Sequence, residues 1–559
     1  MTGGDGMFRT EKPWVRIYEG HVSPETEVYE GSLTDLLRVS VEEHRDKVAL
    51  TFYGTTFDFA HLGDLTEKMA ASLASRGVKK GDRVALMLSN CPQYAISFFA
   101  TVRLGAIATQ INPMYVEREI EHILEDSGAE TIVVYSQAYP RIKAVIEQTR
   151  LRNVVVVHLE GELEELDREH HSFDDFIEID AGPAPEIEIT PSEDVAALQY
   201  TGGTTGVAKG AMLTHFNLVA NVQQTADLFV DDPAAFSRKQ KIMAVLPLFH
   251  IYGLTCVMLF GIRQGLNQLL LPRFDADEVM DLVKEEGPVM FAGVPTMYVA
   301  LVSSGADLKE YRFDEVRTYN SGGSALPVSL KRAFEEKTGR VLFEGYGLSE
   351  ASPVTHLNPP FIGQGREGSI GVPIPSTDAR IVDVETGTQE QPVGEPGELV
   401  IRGPQVMKGY WNMPEETAEV LRDGWLYTGD VARMDEDGYF YIVDRKKDMI
   451  SASGYNVYPR EIEEVLFEHE GVAEAAAVGV PDEYRGETIK AFVVRKPQSE
   501  VTEEEIRTRC EQHLAPYKAP TAVEFRDELP KSAVGKILRR VLADEERAKA
   551  DAQASPSPS

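Results

Sequence analysis

The chain's 559 residues suffice for a large core and at least two domains, and 43% hydrophobic with 26% charged residues describes a soluble globular protein. Its 90 acidic against 56 basic residues give a formal net charge of -34, which repels nucleic acid and anionic lipid and excludes a nucleic-acid partner. Such a surface stays soluble where salt screens its self-repulsion, which points to a halophile-like protein in a high-salt cytoplasm.

Residues 1 to about 30 lack periodicity and read as an arm laid over the body. They show no basic region followed by an apolar core, so no secretory signal is expected and the expected location is cytoplasmic. Residues 48–52 read as a strand. Phe59, Leu62, Leu65, Met69 and Leu73 then recur every three or four residues, one face of a helix that opens at Asp58 and stops at Gly77. A strand at 84–88, a helix from Pro92 to near Gly105, a helix at 117–126 closed by Gly128, and a strand at 131–135 follow. Strands alternating with helices predict a largely parallel sheet covered on both faces, an α/β fold.

Residues 160–194 are crowded with acids and carry Pro183, Pro185 and Pro191, an exposed acidic excursion. His170 and His171 lie there near Asp174 and Asp175, either a metal site or solvated loop histidines. Cys91, Cys256 and Cys510 are too far apart for a CxxC site and too few for a disulfide framework, which fits a reducing compartment.

The short apolar run 195–199 leads into Thr201-Gly202-Gly203-Thr204-Thr205-Gly206-Val207-Ala208-Lys209-Gly210. Glycines let the backbone approach a bound group, the hydroxyls of Thr201, Thr204 and Thr205 donate, and Lys209 adds a cation, all suited to a polyphosphate at a strand end. Ala208 and Gly210 flank the lysine, so this is not the P-loop of kinases and GTPases. A helix at 214–229 follows. Residues 242–262 hold no charge over 21 positions, consistent with a membrane span or with buried core around a hydrophobic substrate. His250 lies inside this run, either a core histidine or one that orients a carboxylate.

Strands at 289–293 and 317–320 precede Gly322, Gly323 and Ser324, where the bare backbone admits a planar ring. The next strand runs into a glycine turn, Glu344-Gly345-Tyr346-Gly347-Leu348-Ser349-Glu350. Its Tyr can stack on a base and its last carboxylate can hold a hard cation, or the whole is a tight turn with a solvated Glu. Beyond Gly371 short strands and turns predict a β-rich subdomain. It ends in Asp430 and Arg445, suited to ribose hydroxyls and phosphate or simply to the surface of a hairpin. A polar run, Arg445-Lys446-Lys447-Asp448, reads as a linker. After it come Gly454 and Tyr455, a helix from 459 to about 469, strands near 473–480 and 489–494, and a helix at 503–514 with Thr502 and Glu505 as a capping box. Gly535-Lys536 precedes a basic run that could be a solvated face, and the Ala/Ser/Pro-rich tail 548–559 is expected to be disordered.

These motifs together resemble the adenylate-forming superfamily of acyl-CoA synthetases, and the run 198–215 is most similar to that of fatty-acid CoA ligases. The resemblance implies a large N-terminal adenylation domain (1–444), a hinge (445–447) centred on Lys447 and a small mobile α+β domain (448–547). It implies the substrates ATP, CoA and a fatty acid, with Mg2+ held by Glu350 and the Thr201 region. Lys536 would be the catalytic lysine, His250 would meet the acyl carboxylate, and Tyr346 with Glu344, Gly345 and Gly347 would wall the adenine and acyl sites. Ser349 stands where many members have Thr; Asp430 and Arg445 match the ribose positions, and Gly454 and Tyr455 the pantetheine channel. At most peripheral membrane contact is expected, and a homodimer is left open.

Overall fold

Both halves of the alternating pattern fold into sheets whose strand ends meet at one cleft. The computed structural model describes residues 12–159, 166–201, 208–229, 240–452, 455–482, 486–532 and 535–554. Eight strands form the first sheet in the order Gly409–Tyr410, Lys209–Thr214, Val195–Thr201, Ile107–Gln110, Arg83–Met87, Thr131–Tyr135, Asn153–Val157, His171–Ser172. It is parallel from Val195–Thr201 onward, while Lys209–Thr214 folds back antiparallel. The second sheet has nine strands with a parallel centre: Asn267–Leu270, Lys241–Ala244, Met290–Gly293, Thr318–Ser321 and Leu342–Gly347.

The helices Leu33–His44, Pro92–Arg103 and His215–Asp227 belong to the core shared by the two sheets. Pro92–Arg103 buries Phe98, Phe99 and Tyr94 completely, and each such aromatic contributes roughly 1.5–3 kcal/mol relative to exposure. Helix ends follow the expected chemistry. Asp58 accepts the His61 N–H at 2.7 Å, Gly128 closes Glu117–Ser127 in the left-handed region, and Thr502 with Glu505 forms a reciprocal capping box. The arm is tied down by the Tyr18 hydroxyl, which donates to the Pro373 carbonyl, and by Trp14 against Phe440.

A third sheet, Asp378–Val382, Gly397–Arg402, Leu421–Arg422, Trp425–Met434 and Phe440–Arg445, is the β-rich unit. The last residues form a separate sheet of Ile450–Ala452, Tyr455–Val457, Val472–Asp482, Gly486–Arg495 and Ala522–Arg526. The helices Pro459–Phe467, Glu503–His513 and Arg539–Ala554 accompany it around its own cores.

Two expectations change and two open alternatives are decided. The stretch 342–347 does not turn at its glycines: Gly345, Tyr346 and Gly347 continue the strand, pairing with Leu357, His356 and Val354, because the neighbouring strand supplies the ladder. Residues 242–262 are no single helix. Strand, loop and a π-helical stretch Leu254–Leu259 divide them, and no described helix is long and apolar enough to cross a membrane. Residues 548–554 lie in the final helix, since Ala, Lys and Gln favour helix and the Ser/Pro composition starts only at Ser555. His170 Nδ1 meets the Tyr139 hydroxyl at 2.7 Å, so it packs rather than ligates. Among the described residues no group of three or more His, Cys, Asp or Glu side chains converges to hold a metal ion.

Candidate active site

A cavity of ≈ 1610 Å3 lies at the C-terminal ends of the parallel strands and is closed on one side by the small domain. Thr201 and Lys209 are register partners across the hairpin that flanks the glycine loop. The loop residues Gly202, Gly203, Thr204, Thr205 and Gly206 lie outside the described residues, as does Gly454. Lys209 Nζ stands 5.4 Å from the centre of the Tyr410 ring, whose hydroxyl donates to Glu350 Oε1 at 2.7 Å. The Met407 N–H donates to the Glu350 carbonyl at 2.8 Å. Backbone and side chain of Glu350 are thus both held beside the loop lysine, with Ser349 on the same cavity wall.

Opposite, Gly322 follows the end of strand Thr318–Ser321, and a Cβ there would come within 3.2 Å of the Tyr252 ring. Tyr252 packs beside this backbone, and its hydroxyl donates to Asn320 Oδ1 at 2.7 Å; Gly323 and Ser324 continue the cavity wall. Glu344 is buried, and its Oε1 accepts the Leu326 N–H at 3.1 Å. Burial pushes its carboxyl up to about 7 against the pull of Arg460. Tyr346 donates to Asp430 Oδ2 at 2.5 Å, and Arg445 Nε lies 3.3 Å from Asp430 Oδ1. The register pairing of Asp430 with Arg445 explains why two residues 15 apart in sequence share one site.

His250 sits on a loop pinned by Asn90, by the helix Pro92–Arg103 and by the first sheet. Asn90 Nδ2 donates to the carbonyls of Ala244 and Leu246, each at 2.9 Å, Tyr94 to that of Leu248 at 2.7 Å and Gln199 to that of Phe249 at 3.1 Å. His250 Nδ1 accepts the Tyr252 N–H at 3.2 Å, which leaves the ring proton on Nε2. Burial lowers the imidazole to about 4, with Lys536 adding to the fall, so the ring is neutral at pH 7. Beyond it the wall is apolar, with Phe249, Cys256, Met290 and Val299.

Lys536 comes from the small domain and lines this same cavity. Its loop is closed by the Ser532 N–H donating to the Lys536 carbonyl at 2.8 Å. Gly535 has φ +73° and a Cβ there would meet Thr296 Oγ1 at 2.3 Å, so only glycine lets the loop press against helix Pro295–Ser303. Burial lowers the ammonium to about 7; Arg445 adds to the fall and Asp430 opposes it. Lys447 is exposed, in a turn where the Asp448 N–H donates to the Arg445 carbonyl at 3.0 Å; Tyr455 opens the short strand Tyr455–Val457.

Sequence reasoning missed Tyr410, Thr296 and Arg539. The first two carry no motif spacing, and Arg539 was absorbed into a basic run. Its guanidinium in fact reaches Glu463 at 2.5 and 2.8 Å and Asp444 at 2.9 Å.

Residues 37–411 match the family model "AMP-binding enzyme" and residues 461–536 match "AMP-binding enzyme C-terminal domain". A long-chain-fatty-acid–CoA ligase of Bacillus subtilis is 45% identical, over 96% of this chain and 99% of that protein. The ATP-bound structure of MatB from Rhodopseudomonas palustris superposes with a TM-score of 0.82 at 32% identity, over 92% of this chain and 98% of the other. Its apo structure covers the same shares at 31% identity but reaches only 0.73.

Proposed function

This chain belongs to the AMP-binding enzyme family, and from that premise we propose that it activates a fatty acid with ATP and passes the acyl group to CoA. Adenylation releases pyrophosphate; thioester formation gives acyl-CoA and AMP. The observation that carries this reading is the meeting of Lys536, from the small domain, with His250, Glu350, Asp430 and Arg445 around one cavity.

A carboxylate is a poor acyl donor because its leaving group would be an oxide, and joining it to AMP supplies a good one. The fatty-acid carboxylate attacks the α-phosphorus of ATP, the bond to pyrophosphate breaks, and charge builds on both sides of that phosphorus. Positioning and electrostatics carry such a reaction. His250 Nε2–H donates to the attacking carboxylate at the mouth of the apolar wall. Asp430 and Arg445 hold the ribose, Tyr346 and the backbone from Gly345 to Gly347 flank the base, and Lys209 with Thr201 and the loop hydroxyls holds the pyrophosphate. The Lys536 ammonium neutralises the developing charge. Mg2+ is commonly held by one or two carboxylates plus substrate phosphates, and the braced Glu350, lining the same cavity as Thr201, fits that donor set. Bound there, the cation would offset phosphate charge.

The CoA thiol then attacks the acyl carbonyl and AMP leaves with the bonding electron pair. Lys536 must withdraw from that face, so residues 445–447 act as a hinge between a large domain of 1–444 and a small one of 448–547, with Gly454 and Tyr455 on the pantetheine side. The protein is read as cytoplasmic, with at most peripheral membrane contact.

CoA-dependent AMP release, measured from acetate to oleate with a coumarate control, tests this. Release with long acyl chains is expected. Release with coumarate alone would make it an aryl ligase, and ATP binding without release from any acid would make it a sensor.

A further inference from the structure

The Asn320 amide lines the cavity but takes no part in the chemistry above. Its place follows from register. Across the parallel strands Met290–Gly293, Thr318–Ser321 and Leu342–Gly347, Ala292 stands opposite Asn320 and Asn320 opposite Phe343, and such partners send their side chains to one face of the sheet. Met290 and Ala292 give that face its apolar wall, and Gly345, two residues beyond Phe343, belongs to it as well. Glu344 and Tyr346 alternate to the other face, where the Tyr346 hydroxyl meets Asp430. In the proposed reaction the strand therefore has the nucleotide on one face and the acyl chain on the other, and Asn320 is on the acyl face.

Two tyrosines hold Asn320 in place. The Tyr298 hydroxyl donates to its carbonyl at 2.8 Å and the Tyr252 hydroxyl to its Oδ1 at 2.7 Å. Tyr252 belongs to the His250 loop, since its N–H donates to His250 Nδ1. With Oδ1 engaged, Nδ2 is the amide atom left over, and it has no hydrogen-bond partner among the described residues. It lies 3.6 Å from where a Cβ on Gly345 would stand, so the missing side chain there leaves it open to the cavity. A saturated chain laid against Nδ2 would strip its water and offer no acceptor, whereas an oxygen on the chain would take the N–H.

We infer that Asn320 selects fatty acids that carry a hydroxyl or keto oxygen on the chain. Nδ2 donates to that oxygen while the carboxylate meets His250, and Tyr252 holds the amide with its donor outward. This rests on the ligase reading.

ATP–pyrophosphate exchange tests it, measured with decanoate and with hydroxy- and ketodecanoates whose oxygen is moved along the chain. In the wild type at least one substituted acid is expected to exceed decanoate by roughly tenfold in kcat/KM, the worth of about one hydrogen bond. Asn320→Leu should abolish that advantage, raising kcat/KM for decanoate and lowering it for the favoured acid, with the KM for ATP unchanged. This variant leaves the Tyr252 hydroxyl without its acceptor; should it not fold, Tyr252→Phe combined with Asn320→Leu removes both partners and carries the same expectation. Decanoate equal to or better than every substituted acid in the wild type, a preference that survives without the amide, or a defect confined to the KM for ATP would overturn the assignment. A wild-type protein that supports exchange with none of these acids, nor with oleate, would instead defeat the ligase reading.

Discussion

The Tyr346 hydroxyl donates to Asp430 Oδ2 at 2.5 Å, and this bond joins a strand of the nine-stranded sheet to the β-rich sheet that ends at Arg445. The carboxylate also faces Arg445 at 3.3 Å, so it is fixed from two sides before any nucleotide arrives. Asp430→Ala removes the acceptor proposed for the ribose and takes away the carboxylate facing Arg445. The KM for ATP should rise roughly 10- to 100-fold, the worth of a hydrogen bond to a charged group. Tyr346→Phe should raise it less. ATP titration of the exchange reaction measures both, and an unchanged KM in Asp430→Ala would remove Asp430 from the ribose site.

In the proposed mechanism Lys536 serves adenylation only while protonated, and burial lowers its ammonium to about 7. The charge is present below that pH and lost above it. In the free enzyme kcat/KM for ATP should therefore fall as pH rises through about 7. Bound phosphates favour the charged form, so the limb in kcat should lie at higher pH. Lys536→Ala should slow adenylation by about 10²- to 10³-fold while a preformed acyl-adenylate still reacts with CoA. Pyrophosphate release at the wild-type rate would disprove the assignment.

What the sequence made legible was whatever is local. The cap at Asp58, the strand 195–199 before the glycine loop and the box at Thr502 and Glu505 depend on neighbours a few residues away, and the structure has each of them. The strand through Gly345 and Gly347 was misread as a turn because its stabilising partner, Val354–Leu357, supplies hydrogen bonds that no glycine pattern reveals. Tyr410 was invisible for the same reason, since its value lies in Glu350, 60 residues away.

Tyr410→Phe isolates that contact, since it keeps the ring beneath Lys209 and removes the hydroxyl from Glu350. Glu350 then loses a brace without losing its charge. The Mg2+ concentration for half-maximal exchange should rise several-fold, about 1 kcal/mol of orientation, with a smaller change in maximal rate. Loss of rate at every Mg2+ concentration, with the half-point unmoved, would place Tyr410 in packing alone.

The net charge of -34 predicts a response to salt. Self-repulsion among surface carboxylates weakens as the screening length drops from about 10 Å at 0.1 M to about 3 Å at 1 M. The thermal midpoint should rise as KCl is raised into the molar range. A midpoint that falls over the same range would show that ion pairs, which salt also screens, outweigh the repulsion.

Arg539 lies three residues beyond Lys536 and ties the start of the final helix to residues on both sides of 445–447. Its guanidinium bonds Asp444, on the large-domain side, at 2.9 Å, and Glu463, on the small-domain side, at 2.5 and 2.8 Å; Asp448 lies 3.4 Å away. Asp444 is nearly fully buried and also accepts the Arg460 N–H at 2.8 Å, so the small domain holds it at two points. Rotation of the small domain about 445–447 would part Arg539 from Asp444, and the pair therefore favours the arrangement with Lys536 in the cavity. Removing one partner of a buried ion pair costs about 3–5 kcal/mol, so Arg539→Ala should lower the thermal midpoint and slow adenylation. Arg539→Lys keeps the charge without the two-sided fork and should recover part of each. Conversion of a preformed acyl-adenylate to thioester should be slowed far less than adenylation in both variants. Single-turnover measurement of the two half-reactions decides it: equal slowing of both would mean that Arg539 supports the fold and has no share in placing the lysine.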